Sequence, residues 1–164
     1  MASKTVHKFF WLWDFQKEEQ WLNEMAKQGH VLEKAGVCTY HMTRCQPDEY
    51  EIRMEFFDQG PKSNYGKQYI KLVEETGAEH ICNHGKWAFF RQKTADGSFQ
   101  FLQNIAAQKK HLDKIQQGLL FVMVITLVIG LYEIKGTGIL LLAVAALAFL
   151  GVRIVSKRRT ALDT

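Results

Sequence analysis

Residues Gly118–Val155 read GLLFVMVITLVIGLYEIKGTGILLLAVAALAFLGVRIV, two apolar stretches around the polar break Glu133-Ile134-Lys135-Gly136-Thr137-Gly138. The first stretch, Gly118 to Tyr132, carries no charge. Its Leu, Ile, Val and Phe residues each favour insertion by roughly 0.3–0.6 kcal/mol, which predicts a span although it is shorter than the usual ~20 residues. The second stretch, Gly138 to Val155, has Arg153 near its end, where a long side chain snorkels to the headgroups. Runs this apolar on every side do not suit the core of so small a domain. The pattern is that of a two-helix transmembrane hairpin, with Tyr132 and Glu133 at the far interface.

Working outward, Lys109, Lys110 and Lys114 precede the hairpin, and Arg153, Lys157, Arg158 and Arg159 close it. The far loop has only Lys135. The positive-inside rule then places both termini in the cytosol, with the basic tail 156–164 meeting anionic lipid. Ala143, Ala146 and Gly151 are small enough for the first helix, or a second copy, to pack closely. No acid, base or amide lies mid-span, which argues against a proton or substrate path.

The rest of the chain is nearly neutral. Residues 1–117 carry 16 Lys and Arg against 15 Asp and Glu, and residues 118–164 carry 5 against 2. The positive net charge is therefore a membrane-flank property, and no direct nucleic-acid contact is expected. The N-terminus lacks the charged, apolar and small-residue regions of a signal peptide. Cys38, Cys45 and Cys82 are few, odd in number and widely spaced, as reduced cytosolic thiols are.

Before the hairpin, residues 1–98 alternate extended and helical patterns. Lys4 to Trp13 is aromatic on both faces and predicts a central strand. Asp14 suits an N-cap, and a helix follows to Gln28, with Phe15, Trp21, Leu22 and Met25 as its stripe and Gly29 as its stop. Val31 to Cys45 is extended with a kink at Gly36, and Gln46-Pro47-Asp48-Glu49 is a turn. Tyr50 to Phe57 alternates, giving a strand with one buried and one largely wet face. Gly60 to Asn64 is a loop. Tyr65 to Thr76 is a helix with Tyr69, Leu72 and Val73 inward, ended by Gly77. Ala78 to Lys93 is extended and broken near His84-Gly85. The order predicts an α+β domain of ferredoxin-like βαββαβ type, though the second and fourth extended segments are each long enough for a hairpin. Asp96-Gly97 is a turn, and residues 99–117 form an amphipathic stalk helix. Ile105, Leu112, Ile115 and Leu119 fall near a/d spacing, with Gln108 as the polar exception. That suits either a homodimer or packing on the chain's own domain.

Phe9-Phe10-Trp11, Asp14-Phe15, Glu18-Glu19 and the run from Trp21 through Leu22, Asn23, Glu24 and Met25 to Ala26, closed by Gly29, resemble the opening signature of the bacterial domain-of-unknown-function 2812 family (DUF2812). Tyr50 to Arg53, Thr76 to His80 and Trp87 to Arg91 are similar to its second half. Ala78 is a departure, since a Trp is expected there. The resemblance spans about residues 4–95 and implies an uncharacterised, membrane-anchored protein of the bacterial inner membrane. It also implies a PadR-like transcription regulator as partner.

For chemistry, His80-x-Cys82-x-His84 is the best metal candidate, because alternate strand residues share a face, and Cys38, His41 and Cys45 could add ligands only through the fold; ordinary sheet residues are the competing reading. Glu18, Glu19 and Glu24 read as a solvated helix face beside Lys17 and Lys27. Trp11, Trp13, Trp21, Trp87 and Phe89 are a heavy aromatic load. Most of it is expected in the core, with an aromatic pocket for an apolar or planar ligand as the functional alternative. No nucleotide, hydrolase or metalloprotease motif occurs, so neither a cofactor nor catalysis is expected. These features predict a membrane-anchored cytosolic sensor or adaptor that binds a hydrophobic ligand or a partner protein. The alternatives are an accessory subunit of a membrane transporter and a metal-dependent enzyme.

Overall fold

A computed structural model describes residues 3–97, 99, 105–132 and 137–162. The chain is mixed α+β and divides into two compact units, residues 1–104 and 105–164. The first holds β1 (Ser3–His7), α1 (Phe15–Lys27), β2 (His30–Gly36), β3 (Thr39–Arg44), β4 (Tyr50–Phe56), α2 (Asn64–Glu75), β5 (Glu79–His84) and β6 (Trp87–Lys93). The second holds α3 (Ile105–Tyr132) and α4 (Thr137–Thr160).

The strands form two three-stranded antiparallel sheets, ordered β1-β3-β2 and β4-β6-β5, in place of the single sheet that a ferredoxin-like βαββαβ order predicts. The second and fourth extended segments are hairpins. In one, Gly36 pairs with Thr39, leaving Val37-Cys38 as a two-residue turn with Cys38 at φ 53°. In the other, His84 pairs with Trp87 around Gly85, at φ 58°. Each half of the unit is thus a strand, a helix and a hairpin, with the same strand order.

β1 is an edge strand and ends at His7 rather than Trp13. Its partner β3 begins at Thr39, so after the Lys8 N–H donates to the Cys38 carbonyl there is no backbone left to pair with residues 9–13. That aromatic segment is a loop, closed by the Asp14 N–H on the Trp11 carbonyl. Asp14 does stand at the N-cap position, but its side chain makes no cap bond and pairs instead with Lys17 at 3.0 Å.

α1 buries Phe15, Leu22, Met25 and Ala26, and Gly29 at φ 79° stops it. The helix does more than cover a sheet. Asn23 Nδ2 donates to the Ile52 carbonyl at 2.8 Å, and Asn23 Oδ1 accepts from the Ile52 N–H at 2.8 Å. Glu19 Oε2 accepts from the Met54 N–H at 2.8 Å, and Glu19 Oε1 pairs with Arg53 at 3.2 Å. Two helix side chains therefore satisfy the free edge of β4, which otherwise carries unpaired donors and acceptors.

β4 is buried on both faces. Ile52, Met54 and Phe56 lie on one side, while Glu55 and Phe57 on the other are also buried, so the expected wet face narrows to Glu51 and Arg53. Phe57 clusters with Val73, Ala78, Ala88 and Phe90, with Tyr69 and Ile70 of α2 packed against them. Ala78 is thus a core residue. Leu72, expected inward, is 60% exposed because the inward stripe of α2 runs through Tyr69 and Val73. Ser63 caps α2 through its hydroxyl on the Gly66 N–H, and a Cβ at Gly66 would lie 2.5 Å from the Pro61 carbonyl oxygen. Cys38, Cys45 and Cys82 are free thiols.

In the second unit, α3 is one helix from its polar start into the apolar run. The beginning of that stalk before Ile105, and the far loop Glu133 to Gly136 with Lys135, lie outside the described residues. Within the stalk, Gln108 and Leu112 are buried and Ile105 is exposed. α3 and α4 are both long and apolar enough to cross a membrane. Most large side chains on them, Phe121, Val128, Ile139 and Leu147 among them, are exposed. Gly151 lies against Leu119, as its size suggests, but the small seam is completed by Ala145 and Ala148. Ala143 and Ala146 are exposed, because at 100° per residue they fall on the opposite face of α4. Arg159 pairs with Asp113 at 2.6 Å.

Replacing Asn23 with Ala removes both bonds to Ile52 and should destabilise the protein by roughly 2–3 kcal/mol, since a buried donor and acceptor lose their partner. Thermal unfolding of the full chain, followed by near-ultraviolet circular dichroism, measures this. Asn23→Asp, which keeps the acceptor alone, should fall between the two.

Candidate functional site

The loop after β1 does not lie flat. With the first turn of α1, the Val37-Cys38 turn and the start of β6, it encloses an open cleft of about 410 Å³. Phe9, Phe10 and Trp11 come from the loop, Phe15 and Glu18 from α1, Tyr40 from β3 and Trp87 from β6. Lys8, Leu12, Gly36, Val37, Cys38 and His84 complete the lining. The rim is apolar yet wet: Trp11 is 56% exposed and Leu12 72%.

The rings hold one another. Trp11 stacks on Trp13 with centroids 5.3 Å apart and planes 1° from parallel, and Phe9 meets Trp11 edge-on at 5.0 Å. Trp21 packs against Tyr40 at 4.9 Å and Phe10 at 5.7 Å. Trp87 lies between Phe15 at 4.9 Å and Phe56 at 5.1 Å. Offset and edge-on pairs of this kind add about 0.5–1.5 kcal/mol each beyond area burial, so the cleft wall is braced. Lys8 sends its ammonium over the Trp21 ring, 4.6 Å from the centroid, and over Phe10 at 5.2 Å.

Of the five aromatics singled out from sequence, Trp11 and Trp87 line the cleft. Trp13 and Trp21 back the lining from behind. Phe89 is not there; it is buried on β6, opposite Met54 of β4. The sequence reading missed Glu18, which is not on a solvated face. Its Oε1 accepts from the Tyr40 hydroxyl at 2.7 Å. Burial pushes its pKa above the ordinary 4.5, with the Tyr40 bond opposing. The Tyr40 phenol is pushed far up as well, by burial first and then by the Glu18 charge. Glu19 is likewise drawn in at the β4 edge, and burial raises its pKa against the bonds from Met54 and Arg53. Only Glu24 is exposed. A signal was present: Phe15, Glu18, Leu22 and Met25 recur at helical spacing, so the carboxylate interrupts an apolar stripe.

His80, Cys82 and His84 do not converge. A bulge between His80 and Cys82 breaks the alternation that would align them. His80 bonds Asn83 at 2.8 Å, Cys82 Sγ accepts from the Ala35 N–H at 3.3 Å, and His84 lies at the cleft. Among the described residues no group of three His, Cys, Asp or Glu is placed to hold a metal ion.

An α+β unit with an open aromatic cleft, followed by two helices able to cross a membrane, defines the class. Within it, the family described as "Protein of unknown function (DUF2812)" matches residues 14–124, more than half of the chain, and the chain belongs to that family. The matched region runs from Asp14 into α3, so it includes Glu18, Asn23 and Tyr40 and leaves Phe9 to Trp11 outside. No curated protein and no solved structure matches the chain.

Glu18 and Glu19 both have raised pKa values in the folded state. An acid of that kind contributes stability below its unfolded pKa and loses it as pH rises through the folded value. Stability should therefore fall as pH rises from about 4.5, the ordinary value for these groups. Glu18→Gln should flatten part of that slope in urea titrations at stepped pH, leaving the part due to Glu19.

Proposed function

We propose that the chain is a non-catalytic, membrane-anchored sensor or adaptor whose cytosolic α+β unit binds a hydrophobic ligand in the cleft between the Lys8–Leu12 loop and Tyr40. The observation that carries this reading is the exposed aromatic rim over a braced wall. Side chains such as Trp11 and Leu12 are costly to leave in water unless something covers them. A cleft of about 410 Å³ falls in the range of small-molecule sites, ~300–1,000 Å³.

The apolar exteriors of α3 and α4 support a membrane anchor of two passes. The Lys and Arg residues at the outer ends of both helices, against the single Lys135 between them, support cytosolic termini. A regulator of the PadR-like type is the partner this reading favours, with ligand occupancy deciding whether it is held at the inner membrane.

The neutral fluorophore N-phenyl-1-naphthylamine should bind the full chain saturably in nanodiscs, quenching tryptophan emission by energy transfer. Trp11→Ala should weaken that binding about tenfold, on the scale of a lost aromatic anchor. Saturation that is indifferent to Trp11 would remove the cleft from the reading. Topology is tested separately. A thiol introduced by Lys135→Cys should react with an impermeant maleimide from outside intact cells, whereas one introduced by Lys157→Cys should not. Labelling of the latter alone would reverse the orientation.

A further inference from the structure

The cleft is apolar in area but not in charge. Glu18 interrupts the apolar stripe of α1, is half-buried, and among the described residues receives one side-chain hydrogen bond, from Tyr40. A carboxylate offers about four acceptor positions. Among the described residues no cation lies within ion-pair distance of it. Glu18 is half-buried at the wall of the open cleft, so a ligand that displaces water there must replace the stabilisation water gives the carboxylate. Around it stand the π systems of Phe10, Trp11, Phe15 and Trp87. One cation already uses this surface, since the Lys8 ammonium sits over the Trp21 and Phe10 rings.

Resting on the reading of the cleft as a ligand site, we propose that its ligand is an amphipathic organic cation. The positive centre is a protonated or quaternary amine placed at Glu18, and the flat apolar body covers Trp11 and Phe9. Such a ligand supplies the counter-charge that Glu18 lacks and meets the negative faces of the rings, which attract cations. A neutral ligand would bury Glu18 further and leave it unpaired. An anion would be repelled by the carboxylate and by the ring faces alike. Lys8 is then the internal cation that a bound amine joins or displaces.

The test uses the full chain in nanodiscs of phosphatidylglycerol, a lipid without an amine headgroup. Two near-isosteric probes are compared by equilibrium dialysis and tryptophan fluorescence: phenyltrimethylammonium, a cation, and tert-butylbenzene, which is neutral. The cation should bind about tenfold tighter, a difference of about 1.4 kcal/mol. Glu18→Gln should abolish that preference, because it weakens the cation and removes the charge that a neutral probe would leave unpaired. Equal binding of the two probes, unaffected by Glu18→Gln, overturns the cation assignment while the hydrophobic cleft stands. Binding of neither probe, or binding of both that Trp11→Ala leaves unchanged, overturns the cleft as well. A further arm separates a soluble amine from a lipid headgroup. Competition by phosphatidylcholine in the nanodisc assigns it to a lipid, and cation binding without such competition assigns it to a soluble compound; either supports the charge chemistry.

Discussion

The N-terminal unit depends on the way α1 closes the open edge of β4. A sheet edge presents a ladder of N–H and C=O groups that must meet water, another strand or something of equivalent geometry. Here Asn23 matches one peptide unit with both ends of its amide, and Glu19 takes the next N–H along the strand. The helix of the first half is thereby fixed on the sheet of the second. Everything that α1 carries, including Phe15 and Glu18, takes its position from that attachment. Arg53 adds a charge to Glu19, but it is more than a third exposed, and such pairs contribute little.

How much of this was readable beforehand follows from the range of the forces involved. The helices α1 and α2, with Gly29 and Gly77 as stops, were legible because periodicity and caps are local. So were the turns at Gln46-Pro47-Asp48-Glu49 and His84-Gly85, and the two apolar helices, which need only composition. The length of β1 was not legible. Residues 9–13 have strand composition, and only the start of β3 at Thr39 deprives them of a partner. The split into two sheets was hidden for the same reason, since hairpin pairing is decided between segments and not within them. Within the site, Trp11 and Trp87 could be named by their chemistry. Glu18 was misplaced because charge was given more weight than its position in the helical stripe, and Phe89 because a large aromatic on a buried strand looks the same from sequence whether it lines a cleft or fills a core.

The two halves of the unit share an order of elements and differ in what they enclose. In the second half, α2 covers a conventional core of Phe57, Val73, Ala78, Ala88 and Phe90. The first half contributes most of the wall of the open cleft, which His84 and Trp87 of the second half complete. In the second unit, Gly151 lies against Leu119 and Ala145 and Ala148 are buried, while most bulky side chains of α3 and α4 are exposed.

The hairpin between β2 and β3 acts as a ruler for the cleft. Its two-residue turn at Val37-Cys38 fixes where β3 begins, and with it the last residue of β1 that can be zipped into the sheet. Adding one residue to each arm would extend the ladder toward Phe9 and Phe10 and draw the loop down over Tyr40. Shortening the arms would release more of it. Insertions or deletions at that turn would therefore change the cleft through the first sheet alone, and leave the second sheet and the clamp on β4 untouched.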